Sequence, residues 1–457
     1  MGSSNFDVII FGAGVGGCAA AAVLGRQGRS VLLIERDWSM PDRIVGELLQ
    51  PGGIDALKKM NLEWVIDGID GIDTYGYAVV YNGKIVHLPY NSADSSVHGR
   101  AFHHGRLIMN LRKAAKESPN VTCVTATVNE LLRDEETGRV VGVSCTDKES
   151  NETLQYHAPL TIVLEGLFSK FRSQFVKSTI KVDSHFAALI LKDAKLLMPN
   201  HGHVILSDIA PILMYQIDPQ DTRILVAIKG SKQPSWNSDE MKEYLNEKVP
   251  AVLPEAIKQP YLDALRTQKL RSMPSSFLGS SPNNTPGVVF LGDAFNVRHP
   301  LTGGGMTVVF KDIDLLSELL DPSIVPDLRD FDKVAAQLKK HHSLRKRYCI
   351  AVNTLAQSLY ALFEASTYHM KILQRGCVEY LQVGPQNYSE PIGLLAATLE
   401  DPNVLFYRFF AVAFYSLRVH ARSLGWAYAP VIIYDSIVTI ILASSVILPY
   451  LISEFMA

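Results

Sequence analysis

The sequence predicts an α/β protein: a Rossmann-like domain, an intercalated antiparallel-sheet domain, and a helical, membrane-associated C-terminal region. Three observations carry this. A short apolar run, Val8 to Phe11, breaks into Gly12, Gly14 and Gly17 at G-x-G-x-x-G spacing, then returns to a second apolar run ending on Glu35. Apolar segments at 186–192, 204–217 and 223–229 have the length and composition of strands. From Ser436 to Ser453 the chain carries no charge.

Composition bounds the rest. The 457 residues exceed what one small core usually accommodates. The chain is 47% hydrophobic and 20% charged, with a mean hydropathy of +0.10, greasy enough to suggest a membrane contact. A net charge of −2 points to no nucleic-acid partner. The five cysteines (Cys18, Cys123, Cys145, Cys349, Cys377) include no C-x-x-C, which fits a reducing compartment better than a disulfide framework. Sequons at Asn120, Asn151 and Asn283 are read as chance, because "MGSSNF" has neither the charged nor the apolar part of a secretory signal.

Taken in order, Val8–Phe11 reads as a buried parallel strand, "CAAAAVLGRQG" as a helix of small residues, and "SVLLIE" as the next strand. Gly12 permits the tight turn, Gly14 lets the backbone touch a pyrophosphate, and Gly17 lets helix and strand pack closely. The helix start offers unpaired N–H groups and a positive dipole end to phosphates. Further apolar runs follow at 156–175 and 287–295, and 307–320 has helical period. From Phe331 to about Gln382 the pattern is helical. Two greasy segments, 404–415 and 428–452, close the chain, with Arg408, Arg418 and Trp426 as interface residues. Asp435 and Pro449 argue for two helices dipped into one leaflet over a transmembrane anchor. With no long linker, the domains are expected to intercalate. Residues 1–60, 100–175 and 285–325 form the cofactor domain, 61–99 and 176–284 the substrate sheet, and 326–457 the helical region with its membrane-anchoring helices.

The fingerprint alone does not separate NAD from FAD. The segment "GDAFNVRHPLTGGGMTVVFKD" (292–312) does. Asp293 would bond a ribityl hydroxyl or reach the pyrophosphate. Gly303, Gly304, Gly305 and Met306 would lie against a flat ring that excludes Cβ atoms, with helix-start N–H groups at its electron-rich edge. FAD is therefore the expected cofactor. His103 and His104, being adjacent, point apart, and no Cys or acid stands at ligand spacing, so no metal is expected.

"DRIVGELLQPGG" (42–53), "GRAFHHGRLIMNLRKAA" (99–115), "GLFSKFR" (166–172) and "GDAFNVRHPLTGGGMTVVFKDI" (292–313) resemble the squalene monooxygenase (squalene epoxidase) family of FAD-dependent monooxygenases. The resemblance spans nearly the whole chain. It implies that Glu35 and Arg36 meet the adenosine ribose and that Arg43 stands on the cofactor side of its loop. Arg106 would approach the FAD phosphates, the Val128 backbone would touch adenine, and Asp293 and Met306 would contact the flavin. Tyr77 is implied beside the active-site cavity, acting through a hydrogen bond to Gln50. One departure is Glu165-Gly166, where related flavoproteins read Asp-Gly. The implied reaction is epoxidation of squalene to (3S)-2,3-oxidosqualene with O2, through a flavin C4a-hydroperoxide, in sterol synthesis. Implied partners are membrane lipid and an NADPH-dependent flavoprotein reductase. The implied location is the endoplasmic reticulum membrane, monotopic and facing the cytosol, with lipid droplets a second site. Such chemistry needs no acid–base pair or nucleophile from the protein, and the sequence suggests none. Squalene has no polar handle, so apolar residues should line its cavity: Leu213 and Tyr215 in "PILMYQI", Met273 and Pro274 in "RSMPSSF", and Phe363 in "LYALF". The alternatives are a related flavoprotein acting on another isoprenoid lipid, or a non-catalytic membrane flavoprotein.

Overall fold

A computed structural model of the chain describes residues 4–91, 94–232, 235–236 and 238–456. Val8–Phe11 is buried at every position, as a strand covered on both faces must be. It pairs in parallel with Val31–Glu35 on one side and Leu160–Val163 on the other. Val288–Phe290 and the first residues of Val121–Arg133 extend this parallel set. Beyond Glu35, Val121–Arg133 runs on and pairs antiparallel with Val140–Asp147, whose other neighbour is Thr153–His157. Ser4–Asn5 completes an eight-stranded sheet. Helices α1 (Val15–Arg26), α2 (Pro51–Lys59) and α3 (His104–Glu117) belong to this half.

The second sheet has seven strands, ordered 271–277, 181–192, 221–229, 212–216, 202–206, 76–81 and 84–89. Its neighbours are antiparallel except Gly202–Leu206, which lies parallel to Gly76–Tyr81. Those two strands come from segments separated by four strands of the first sheet, so no hairpin joins them and none dictates an antiparallel pairing. Alternation along Ile212–Gln216 puts Leu213 and Tyr215 on the face shared with Tyr77 and Val79, and Ile212 and Met214 on the other. The second face is covered by the short helices α4 (Asp239–Glu243) and α5 (Val249–Val252) and the longer α6 (Glu255–Thr267). Glu47 and Arg223 tie the two halves together through a buried bidentate ion pair, with N–O distances of 2.7 and 2.8 Å.

Helix α7 (Gly305–Leu319) returns to the first sheet and packs on α1. The helical stretch expected from 331 to 382 is two helices, α8 (Phe331–Glu364) and α9 (Tyr368–Leu381). The break falls at Ala365, which is left-handed at φ +41°, and Thr367 then caps α9 by accepting from Met370 N. α10 (Pro385–Leu395), α11 (Pro402–Leu424) and α12 (Ala429–Met456) follow. Among the described residues, α12 is the helix long and apolar enough to cross a membrane, with a mean hydropathy of 2.3 in its most apolar window. Pro449 lies inside it without ending it. One stripe of α12 faces the protein, while Ile433, Ile437, Ile441 and Ile452 are exposed. Arg418 is exposed on α11, and Arg408 is held by Glu390 and Tyr380. The Trp426 side chain lies outside the described residues.

Candidate cofactor and substrate site

The three fingerprint glycines stand in three different environments. Gly12 has φ +98°, and a Cβ there would lie 2.5 Å from Leu164 O. At Gly17 a Cβ would lie 1.9 Å from Gly12 O, so helix and strand touch through backbone alone. Gly14 faces open space, with nothing within 4 Å of its Cβ position. It is also the N-cap of α1 and brings no side chain to the first-turn N–H groups. A phosphate at that opening would meet free donors and a positive helix end. Glu35 ends the neighbouring strand. Its carboxylate accepts from the N–H groups of Ala13 (2.7 Å), Arg36 (2.9 Å) and Asp37 (3.1 Å), so it braces the turn from below. Arg36 and Arg43 are exposed. Val128 sits where its strand has passed Glu35, at the carboxyl end of the parallel set, where open α/β sheets receive ligands.

Arg106 is placed elsewhere than expected. Its guanidinium donates to Ile69 O (3.2 Å) and Asp70 (3.0 Å) and lies 3.5 Å from Asp218. The arginine that reaches the glycine turn is Arg112, six residues further along α3. It is buried and donates to Ala13 O (3.1 Å), Ser39 O (2.6 Å) and Asp37 O (2.9 Å), and it lies over the Trp38 ring. The sequence carried a signal for it: Arg112 falls on the i, i+4 face of Ile108 and Leu111 that α3 buries, a place where a charged residue needs a reason.

The segment after Val288–Phe290 forms a second opening. Asp293 is accessible to solvent yet recessed among protein atoms, and this desolvation raises its pKa against the pull of Arg298 and Arg172. Arg172 is buried and binds Asp293 O (2.7 Å), Ala294 O (2.9 Å) and Leu167 O (2.6 Å), which joins this turn to the Glu165 loop. Burial raises the Glu165 carboxyl, opposed by the Ser169 hydroxyl at 2.8 Å. Leu164 and Val309 touch both Gly16 on α1 and Gly292, so the two openings are neighbours.

The expectation that Gly303, Gly304 and Gly305 all exclude Cβ atoms for one flat ring requires correction. Gly303 is left-handed at φ +64°, and a Cβ there would approach Leu48 O (3.3 Å) and Gln50 Nε2 (3.4 Å). A Cβ on Gly304 would strike Val352 Cγ1 of α8 at 2.5 Å. Only Gly305, the first residue of α7, borders open space. Met306 is buried beside it. The α7 start, like that of α1, has no side-chain cap. Two uncapped helix starts, with an acid recessed beside them, fit an elongated ligand with a pyrophosphate at one helix and an electron-rich ring edge at the other. FAD has this form.

Gln50 is fully buried at the N-cap of α2. Its Nε2 donates to the Tyr77 hydroxyl (2.6 Å) and to Thr302 O (2.6 Å), and its Oε1 accepts from the Tyr90 hydroxyl (2.7 Å). Tyr77 and Tyr90 meet edge to face, 5.8 Å between ring centroids. Burial raises the pKa of both phenols, so both stay protonated.

Tyr77, Leu301 and Thr302 form the floor of an open-mouthed cavity. α8 to α11 supply its walls, including Phe363 from α8 and Leu405 and Phe409 from α11. Among the described lining residues only Arg408 is charged. Of the substrate candidates, Phe363 lines this cavity. Leu213, Tyr215 and Met273 belong to the same apolar layer as the cavity's Tyr77 and Phe363 but are not among its lining residues, and neither is Pro274. The helices that close the cavity come later in the chain than the sheet, and sheet periodicity carried no trace of where they would dock.

His103 gains partners from another strand region. Its Nε2 lies 3.1 Å from Asp218 and 3.2 Å from Asp221, a set that could hold a metal ion. Arg106 and Lys192 already supply positive charge to the same two carboxylates, so the cluster is complete as an ion-pair network.

Comparisons with known proteins follow the same line. The family model for squalene epoxidase matches residues 157–434, and that for an NAD(P)-binding Rossmann-like domain matches 10–40. The chain is 45% identical over 457 residues to squalene epoxidase erg1 of Schizosaccharomyces pombe, covering 99% of each. It is 47% identical to squalene epoxidase erg1 of Aspergillus fumigatus, covering 99% of this chain and 94% of that one. Against squalene monooxygenase of Mus musculus the identity is 43%, covering 98% of this chain and 78% of the mouse protein. Among solved structures, the flavin-dependent brominase Bmp2 superposes with a TM-score of 0.70 at 15% identity, covering 91% of this chain and all of that one. Pseudomonas aeruginosa PqsL gives 0.66 at 19%, covering 79% of this chain and 97% of its own. At these identities the two structures speak for the fold.

Proposed function

This chain belongs to the squalene epoxidase family, and on that premise we propose how its residues carry out the FAD-dependent epoxidation of squalene by O2 to (3S)-2,3-oxidosqualene, a step of sterol synthesis. The observation that carries the substrate class is the cavity. Its lining is mostly apolar, with Arg408 the one charged side chain among the described residues, and its floor at Leu301 and Thr302 directly precedes Gly303. A C30 hydrocarbon offers only surface and shape, and burying it is favoured by roughly 25 cal/mol per Å2 of apolar area.

FAD, when bound, supplies the redox chemistry that activates oxygen. In this reading the N–H groups at Gly14 and the start of α1 hold its pyrophosphate. Glu35 and Arg36 face the ribose, Arg43 the outer side of the cofactor, and the Val128 backbone the adenine. Arg112 keeps the glycine turn and the 37–39 loop in register. Asp293 would take the ribityl end, while Gly305 and Met306 would carry the ring, with the uncapped α7 start offering N–H donors and a positive dipole end to its electron-rich edge. Gln50 locks Tyr77, Tyr90 and the Thr302 carbonyl into one unit and so shapes the cavity floor. Tyr77 stays neutral there, as a hydrocarbon neighbour requires. α9 to α11 cover the cavity and keep water from the reacting atoms.

The same reading divides the chain into a cofactor domain (1–60, 100–175, 285–325), a substrate sheet (61–99, 176–284) and a helical region (326–457). The exposed apolar faces of α11 and α12 lie in one leaflet of a membrane, the endoplasmic reticulum in the first instance, with lipid droplets as a second. α11 carries Leu405 and Phe409 on the cavity wall and exposed Phe406 and Phe414, which supports entry of a bilayer-dissolved substrate past this helix. Electrons come from NADPH through a separate membrane-bound reductase. The test uses detergent-solubilised protein with FAD, NADPH, squalene and a microsomal reductase, following oxidosqualene by mass spectrometry. Product that depends on the reductase is expected. Bound flavin without product, under conditions where a known squalene epoxidase turns over, would refute the assignment.

A further inference from the structure

The buried stripe of α12 runs through Asp435, Thr439, Ala443, Ile447, Leu451 and Glu454. An acid stands at either end. Asp435 is held by His369 Nε2 (3.0 Å) and His420 Nε2 (2.8 Å), both from the helical region. Glu454 instead enters the cofactor half of the molecule. It is fully buried, in the last turn of its helix, where the dipole disfavours a carboxylate. One oxygen accepts from the Ser280 hydroxyl (2.8 Å), the other from Asn353 Nδ2 (2.9 Å) and Asn296 Nδ2 (3.4 Å).

Asn296 lies three residues beyond Asp293 and is itself fully buried. Its Nδ2 also binds Leu278 O (2.8 Å), and its Oδ1 accepts from Asn353 (2.9 Å) and Arg298 (3.1 Å). Arg298 binds the Asn296 carbonyl as well (2.7 Å), and its charge acts on the Asp293 carboxyl. The backbone at 278–280 closes the circuit. Leu278 pairs with Val297, and a Cβ on Gly279 would lie 2.6 Å from Ser453 Oγ, so α12 nests directly against this segment. A continuous buried network thus runs from the last turn of the most apolar helix to the turn that carries Asp293. An apolar residue would anchor a helix at lower cost, because a buried carboxylate must recover its desolvation penalty through the hydrogen bonds it makes.

We propose that Glu454 is a positioning residue for the cofactor: by holding Asn296 and Ser280 it sets the 292–299 turn, so that the seating of α12 governs FAD binding. The assignment rests on the reading that Asp293 faces FAD. Because α12 carries the exposed apolar face, a lipid surface that holds the helix in place would also hold the cofactor turn.

The full chain in lipid nanodiscs, stripped of flavin, is titrated with FAD and followed by flavin fluorescence quenching and the visible absorption band. Wild type is measured first; no FAD binding there would overturn the cofactor reading together with this proposal. Glu454→Ala is expected to raise the Kd at least tenfold and alter the flavin band, while Glu454→Gln, which keeps an acceptor for Asn296 and Asn353, recovers most of the affinity. Ile447→Ala, in the same stripe about two turns before Glu454 and without a polar side chain to join this network, is the packing control. It should lower thermal stability with less than a twofold change in Kd. Should Glu454→Ala not fold, Ser280→Ala decides, with a Kd rise of threefold or more expected. Wild-type Kd in Glu454→Ala or Ser280→Ala, or an equal rise in Ile447→Ala, overturns the proposal while leaving the cofactor reading intact.

Discussion

Gly305→Ala separates what the protein asks of its triple glycine from what the cofactor asks. In the cofactor-free chain a Cβ at 305 meets nothing within 4 Å, and the residue opens a helix without a positive φ. Alanine there should leave the apo-protein unharmed or stabilise it by about 0.4–1 kcal/mol, through the smaller entropy of its unfolded chain. Its neighbours behave in the opposite way. Gly303→Ala must hold φ +64°, at a cost of roughly 1–2 kcal/mol. Gly304→Ala must displace Val352 from a 2.5 Å contact, an overpacking of roughly 1–3 kcal/mol. With FAD the order reverses. A methyl at 305 stands where the ring is placed, and relieving it by a similar 1–3 kcal/mol raises the Kd about five- to 150-fold. Thermal melts of the three apo-variants, paired with FAD titrations, give both numbers. A Gly305→Ala protein that binds FAD as tightly as wild type would refute the placement of the ring.

Glu47→Ala leaves Arg223 buried without its counter-ion and should cost roughly 3–5 kcal/mol in a guanidinium melt; a loss under about 1 kcal/mol would mean the pair does not join the two halves. Gln50→Leu strands the Tyr77 and Tyr90 hydroxyls and the Thr302 carbonyl, at roughly 1–3 kcal/mol for each group left unpaired, so it should destabilise more than Tyr77→Phe, which loses one hydrogen bond worth about 1 kcal/mol. If Tyr77→Phe proves the more damaging, Gln50 is not the hub. Burial pushes the His299 imidazole down to about 3 and His203 to about 4. Below about pH 6.5 the unfolded chain binds protons there that the folded chain refuses, so stability falls as pH drops from 6.5, down to about 4 for His203 and about 3 for His299, by up to about 1.4 kcal/mol per pH unit for each histidine. His299→Gln should flatten that slope in denaturant melts across this range, and an unchanged slope would contradict the assignment.

Glycine and strand signals were legible because they act locally. The needs of a tight turn at Gly12 and of a close approach at Gly17 are satisfied within a few residues of chain, and the structure shows them as 2.5 and 1.9 Å approaches of a notional Cβ to backbone. Alternation in Ile212–Gln216 likewise separates two faces by geometry alone. The Gln50–Tyr77 hydrogen bond was named through a family resemblance, since nothing in the spacing of residues 27 apart requires it.

By itself, then, the sequence determined the nucleotide-binding βαβ start, the existence of a second sheet, the greasy helical end and the family. Tertiary structure decided which residue of each motif does what. Gly304 answers to Val352, 48 positions along the chain; Arg112 rather than Arg106 reaches the glycine turn because of how α3 rolls onto the sheet; and α8 to α11 close the cavity over Val79, Leu88 and Val204 of the sheet. The physical reason is range. Backbone conformation and hydrophobic period are set by neighbours in sequence, whereas the facing of a side chain is set by packing between elements that approach one another only when the whole chain has folded.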